Sequence, residues 1–274
     1  MAKKKYSHTD VTFQRWIKEG RGAGRGRDYK PWLTVRDLPS LGRSHRIFGH
    51  KSQRTHHLFS DLELAVFLLL EWQTTTLEIR EQFPLQRELT IEIAEQCGIP
   101  HPSVAGVTQY MSSDFLVTAS QAEFPKFAIQ AKRSEDLVKP RVIEKLELER
   151  QYWQRKNTPW FLITEKEIPS AVFQNIEWLY PAQRGEIATS DLIHRLSIYN
   201  HHFAERPDST IINIAKSLDV AYALPVGESL REIRQLLAHR FFIFDLYKPF
   251  RKLTPADLVP LDTATMEVLQ HVQN

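Results

Sequence analysis

A chain of 274 residues with 42% hydrophobic and 25% charged side chains has the composition of a soluble globular protein, with room for one large domain or two small ones. Six Trp and fifteen Phe argue against a disordered chain, and no apolar run reaches the ~18 residues of a membrane span, so a membrane partner is not expected. The net charge of +3 and pI near 8.9 permit a nucleic-acid partner without requiring one. The lone Cys97 rules out a disulfide framework. The basic start Met1-Ala-Lys-Lys-Lys5 has no apolar core behind it, so a cytoplasmic location is expected.

Residues 1 to about 60 read as basic and irregular. Gly20, Gly22, Gly24 and Gly26 crowd into seven residues, interleaved with Arg21, Arg25 and Arg27. Such density predicts a flexible, positively charged loop, either merely solvated or touching phosphate. Arg43 and Arg46 extend the same candidate set for DNA contact. A buried helix follows over Asp61–Trp72, apolar on nearly all faces, with Leu77–Phe83 alternating as a strand. Arg87–Gln96 predicts a helix, ended by Gly98 and Pro100. Two strands, Asp114–Thr118 and Lys126–Lys132, lead to a long helix over Arg141–Lys156 with Pro140 at its first turn. Trp160–Thr164 reads as a buried strand and Val172–Leu179 as a short helix. Alternating strands and helices predict an α/β domain, a mixed sheet flanked by helices, over residues 1–180.

Pro181-Ala-Gln-Arg-Gly185 reads as the linker to a second domain, residues 181–274. Its pattern is mostly helical: Ser190–Glu205, Ser209–Leu218 and Glu228–Arg240, then the aromatic run Phe241–Tyr247 as a strand. Three helices ending in a β segment describe a winged-helix-like module. Arg231, Arg234 and Arg240, with Lys248, Arg251 and Lys252, suit either a recognition helix with a basic wing or a protein-docking face.

The chemistry centres on four scattered polar residues. Ser60-Asp-Leu-Glu63 is a capping box, so Glu63 has a structural task, yet a carboxylate on so apolar a helix can also face a cleft. Asp114 opens an apolar strand, where it is either a turn residue after Ser112-Ser113 or a functional acid. Gln130 and Lys132 are two apart in a strand and so point together, with small Ala128 beside them leaving room for a ligand. Mg²⁺ prefers carboxylate, carbonyl and water oxygens. Asp114 and Gln130 would be direct metal ligands, Glu63 would complete the site, and Lys132 would orient or deprotonate a water for phosphodiester cleavage. Glu149, at helical spacing with Val142, Leu146 and Trp153, is an accessory candidate or a paired structural acid. His56-His57 is a poor metal pair because adjacent residues diverge, and neither a CxxC zinc pattern, a P-loop nor a GxSxG elbow occurs.

These residues, in this order, resemble the TnsA family, the endonuclease subunits of Tn-seven-type heteromeric transposases. The resemblance extends through Ile17-Lys-Glu-Gly-Arg-Gly22, Asp28-Tyr-Lys-Pro-Trp-Leu-Thr-Val35, Gly42-Arg-Ser-His-Arg46, Ser60-Asp-Leu-Glu-Leu-Ala-Val66 and Ile79-Arg-Glu-Gln-Phe-Pro-Leu85. It continues in Ser113-Asp-Phe-Leu-Val117, Phe127-Ala-Ile-Gln-Ala-Lys132, Glu144-Lys-Leu-Glu-Leu-Glu-Arg150, Asn175-Ile-Glu-Trp-Leu-Tyr180 and Ile211-Ile-Asn213. It implies a restriction-endonuclease-like first domain and a winged-helix second domain, in a bacterial cytoplasmic protein. It also implies Mg²⁺-dependent cutting of the 5′ ends of transposon DNA, Mn²⁺ being able to substitute. A separate subunit, TnsB, would cut and join the 3′ ends, and an ATP-dependent regulator, TnsC, would meet the C-terminal region. Glu63, Asp114 and Lys132 match the family's catalytic positions, Gln130 its neutral metal-site position, and Glu149 an acidic position near the site. Many restriction-type nucleases carry an acid where this chain has Gln130; the missing charge should weaken metal affinity when DNA is absent. Two rivals remain on the residues alone: a free-standing nuclease, and a non-catalytic DNA- or regulator-binding scaffold.

Overall fold

Hydrophobic periodicity shapes a computed structural model that describes residues 9–37, 43–121, 123–185 and 187–262; the basic start falls outside them. They form two compact units, residues 1–168 and 169–274. The boundary expected at 180/181 leaves the helix at Val172–Leu179 in the first unit, whereas it packs with the second. Its buried Asn175 donates to the carbonyls of Leu246 (2.7 Å) and Lys248 (2.8 Å) and accepts from Phe250 N–H.

In the first unit the elements run α1 (Asp10–Lys18), β1 (His45–Gly49), β2 (Arg54–Leu58), α2 (Asp61–Trp72), β3 (Thr76–Pro84), α3 (Arg87–Cys97), β4 (Ser103–Val104), β5 (Val107–Thr108), β6 (Ser112–Ala119), β7 (Lys126–Ala131), α4 (Pro140–Arg155) and β8 (Trp160–Ile163). The main sheet has the order β3-β6-β7-β8, antiparallel except for the parallel β7–β8 pair, so it is mixed as the alternation predicts. Parallel β8 is reached through α4, the crossover such a pair requires. Helix α3 stops at Gly98, whose φ of +65° is the left-handed cap that glycine favours, and Pro140 sits in the first turn of α4.

Leu116 and Ala128 lie opposite each other on β6 and β7 and pack against Ile93 of α3 and Leu148, Tyr152 and Trp153 of α4. Ala128 is therefore core and leaves no ligand space; its small side chain admits the helix instead. Strand β8 is an edge, not a buried strand, with Phe161 43% exposed.

Residues 9–37 and 43–58 carry more structure than their composition suggests. Phe13 and Trp16 of α1 pack with Trp32, and β1–β2 is an antiparallel hairpin. The glycine loop is a folded turn rather than a flexible one. Gly22 N–H donates to Lys30 O, Lys30 N–H returns to Ala23 O, and Gly26 N–H donates to Glu78 on β3 at 2.7 Å.

The second unit comprises α5 (Ser170–Leu179), α6 (Thr189–Ala204), α7 (Ile211–Ala221), α8 (Glu228–Ala238), β9 (Phe242–Ile243) and β10 (Val259–Pro260). The strand expected over Phe241–Tyr247 keeps only two residues, paired with β10. Asp245 turns the chain, accepting Tyr247 N–H on its side chain and Lys248 N–H on its carbonyl. Residues 181–183 continue a 3-10 turn from α5 instead of forming an open linker. Helices followed by a small β pair give this unit its winged-helix character.

Candidate active site

Asp114 is the hub of a buried polar cluster. It sits on β6, and its Oδ2 accepts both Gln130 Nε2 and the Ala131 backbone N–H of β7, each at 2.8 Å. The Asp114 N–H donates in return to Gln130 Oε1 at 3.3 Å. Antiparallel pairing of Phe115 with Ile129 sets this register, so the two polar side chains meet because the strands pair where they do.

Glu63 arrives from the first turn of α2. Ser60 Oγ caps the helix by accepting Glu63 N–H and donates to Glu63 Oε1 at 3.0 Å. The carboxylate's other oxygen accepts Phe59 N–H at 2.9 Å. The capping box is thus present in altered form, and it leaves Glu63 turned toward the strands. Gln82 on β3 completes the bridge, with Nε2 3.3 Å from Glu63 Oε2 and 3.5 Å from Asp114 Oδ1. Glu63, Asp114 and Gln130 are all buried.

Burial, followed by the neighbouring Asp114 charge, pushes the Glu63 carboxyl up to about 8. Asp114 is also raised by burial, with Lys132 and the surrounding hydrogen bonds opposing the shift. Two buried carboxyls faced by one lysine form a site short of positive charge, which is the condition a bound cation relieves. Among the described residues no three His, Cys, Asp or Glu side chains form a metal-ligand group. The available oxygen set here is two carboxylates and the Gln130 amide carbonyl, a hard-oxygen set suited to Mg²⁺ and its retained waters.

Lys132 lies just past β7, its N–H donating to Ile163 O, and lines the same cavity as Gln130 and Glu149. Glu149 on α4 is buried, and its Oε1 accepts Ser113 Oγ at 2.6 Å and Trp160 Nε1 at 2.9 Å. Burial pushes its carboxyl up to about 8 despite these donors. Trp153 Nε1 donates to the same Ser113 hydroxyl, so Glu149 belongs to a chain of buried contacts that ends one residue from Asp114.

The five candidate DNA-binding arginines divide. Arg21 is used inside the fold: it pairs with Asp37 at 2.7 Å, donates to Trp32 O and lies over the Trp16 ring. Arg25 pairs with Glu78 but its side chain remains 71% exposed, and Arg27, Arg43 and Arg46 are exposed. His56 and His57 diverge as expected, His56 being buried 2.8 Å from Glu81 and His57 accepting Val35 N–H.

Gln82 is the residue that sequence reasoning missed. In Leu77–Phe83 it falls on the polar face with Glu78 and Arg80 and reads as solvated. Only its φ of +48°, unusual for a side chain in a strand, marks it, and that is invisible in sequence.

Two family models match the chain. Residues 73–165 match the TnsA-like endonuclease N terminal model and residues 167–246 the TnsA endonuclease C terminal model. Asp114, Gln130, Lys132 and Glu149 lie within the first. The whole chain is also 51% identical over 274 residues, covering 100% of both sequences, to the Transposon Tn7 transposition protein TnsA of Escherichia coli.

Proposed function

The chain belongs to the TnsA family of transposition endonucleases, and from that premise we propose that its buried cluster cuts DNA at the 5′ ends of a transposon with Mg²⁺ as cofactor and Mn²⁺ as an accepted substitute. The carrying observation is the convergence of Glu63, Asp114 and Gln130 on one hydrogen-bonded network beside Lys132. Asp114 and the Gln130 carbonyl are the direct oxygen donors, with Glu63 completing the set. When bound, a divalent cation supplies Lewis acidity at the phosphate and acidifies water. Lys132 orients the attacking water and offsets the negative charge that grows on the phosphate oxygens. Ala131 N–H and Ser60 hold the two carboxylates in place, which keeps the donor geometry fixed before DNA arrives.

The test is a strand-specific end-cleavage assay with the partner subunits and Mg²⁺. Asp114→Ala should lower 5′-end cutting at least ~100-fold, while assembly and 3′-end cutting persist. Undiminished 5′ cutting would end the assignment, and cutting of arbitrary DNA by this chain alone would point to a free-standing nuclease.

For the second unit the reading is docking of an ATP-dependent regulator of the TnsC type, with a TnsB-type transposase as the other protein partner. Its basic helix is partly committed: Arg234 donates to Trp178 O, and exposed Arg231 pairs with Glu228 on the same helix. Exposed Val220, Tyr222 and Val226 offer instead an apolar face, which supports protein over DNA contact. Regulator binding that survives deletion of residues 169–274 would refute this role.

A further inference from the structure

Beside Gln130 and Lys132 the cleft opens into a cavity of about 420 Å³, walled by α4 on one side and the chain around β4–β5 on the other. Helix α4 lines it with Arg141, Lys145 and Glu149, four residues apart, so the three follow one helix face at about 6 Å per step. At the inner end the Glu149 carboxylate is already held by Ser113 and Trp160. Arg141 is at the exposed end and pairs only with Glu144, at 2.6 Å, among the described residues.

Lys145 lies between them, exposed to solvent and lining the cavity. Desolvation, then the charges of Arg141 and Lys132, hold its ammonium below the usual range, and no carboxylate figures among the charges acting on it. A fold that lines one cavity with Lys132, Arg141 and Lys145, with no carboxylate acting on Lys145, accepts a repulsion that an incoming anion would cancel. The anion must be able to approach Gln130 and Lys132 from the side of α4, and a cavity of this volume admits a phosphate with part of its sugar.

We propose that this cavity is a phosphodiester subsite, in which Lys145, with Arg141 at the rim, holds the phosphate next to the one that is cut. The proposal rests on the nuclease reading of Asp114, Gln130 and Lys132 and adds the strand contact that positions the scissile bond. Lys145 makes no contact with the reacting atoms; it is a binding and positioning residue.

The test uses the full chain and a labelled transposon-end duplex with a single-stranded flank, titrated without divalent metal at several salt concentrations. Lys145→Ala should weaken binding about 10-fold and lower the slope of log Kd against log salt by about 1, because one phosphate no longer has its ammonium partner. Lys145→Arg should restore both. Because the lysine is repelled in the free protein, Lys145→Ala should melt at the same temperature or higher, whereas a residue serving only the fold would melt lower. Unchanged affinity and salt slope overturn the subsite, as does equal displacement of the duplex by millimolar inorganic phosphate from wild type and Lys145→Ala. The two readings fail separately. Loss of binding in Lys145→Ala alongside intact 5′ cutting by Asp114→Ala sinks the catalytic assignment and leaves a DNA contact. Normal binding by Lys145→Ala sinks the subsite alone.

Discussion

Gln82 joins the two acids of the cleft through one amide. Its Nε2 reaches Glu63 and Asp114, and its Oε1 accepts Ser112 Oγ at 3.4 Å, so each polar end is engaged. The geometry depends on a backbone at φ +48°, which costs on the order of 1–3 kcal/mol for a residue with a side chain. Glycine at this position would relieve the backbone and remove the clamp in one step. Gln82→Gly should therefore change stability by no more than ~1 kcal/mol, since relief of strain offsets the missing hydrogen bonds. In the strand-specific assay it should nevertheless lower 5′-end cutting ~10–100-fold, the usual cost of disturbing a residue that orients ligand oxygens. Full cutting activity in Gln82→Gly would show that the clamp serves the fold alone.

Among the elements, the glycine loop shows how composition misleads. A Cβ on Gly22, at φ +77°, would stand 2.3 Å from Pro84 Cγ, and one on Gly24 would stand 2.4 Å from the Asp28 carbonyl oxygen. These glycines are there because chain meets chain, not because the loop must move. Gly22→Ala, which carries both the left-handed backbone and the clash, should destabilise the protein by about 2–4 kcal/mol in urea unfolding. Gly26→Ala, at φ +52° with open space around the new methyl, should cost about 1 kcal/mol. Equal effects from the two substitutions would contradict the close-approach argument. The helices were legible because their apolar residues repeat at helical spacing, and α2, α3 and α4 fall within a residue or so of their expected ends. The β1–β2 hairpin was not, since it is rich in His and Arg. It is held by Arg54 and His56 pairing with the fully buried Glu81, a contact between distant strands that no local pattern announces. The expected strand over Phe241–Tyr247 failed for the opposite reason. Its aromatic residues suit a strand, but the turn at Asp245 ends the pairing after Ile243.

At the scale of the whole molecule, the residues of the candidate site come from α2, β3, β6, β7 and α4, so no short window of sequence contains it. The i, i+2 spacing of Gln130 and Lys132 was readable; Glu63 and Asp114 were readable as candidates with a cap or a turn as the alternative, and the family resemblance was what favoured the functional reading. The helix-borne cations Arg141 and Lys145 were not readable, because in sequence they look like an ordinary solvated face and only the fold sets them opposite the chain around β4–β5 across one cavity. The buried acids of this scattered site should also control how the first unit's stability responds to pH. Glu149 and Glu63 titrate near 8 in the folded chain and near 4.5 once unfolded. Between those values the folded state binds more protons than the unfolded one, so stability falls as pH rises and levels off above about 8. Each such group contributes a slope of up to about 1.4 kcal/mol per pH unit. Glu81, held well below the usual carboxylate range by His56 and Arg54, gives the opposite slope, but only in acid below about 4.5. With divalent metal chelated, the urea midpoint of wild type followed by Trp fluorescence should drop from pH 5 to pH 8. Glu149→Gln keeps an oxygen to accept from Ser113 and Trp160 and has no proton to lose, so its midpoint should fall less steeply and exceed that of wild type at pH 8. Parallel curves for the two proteins would mean that Glu149 is ionised in the fold, and that its network is held together by charge rather than by a retained proton.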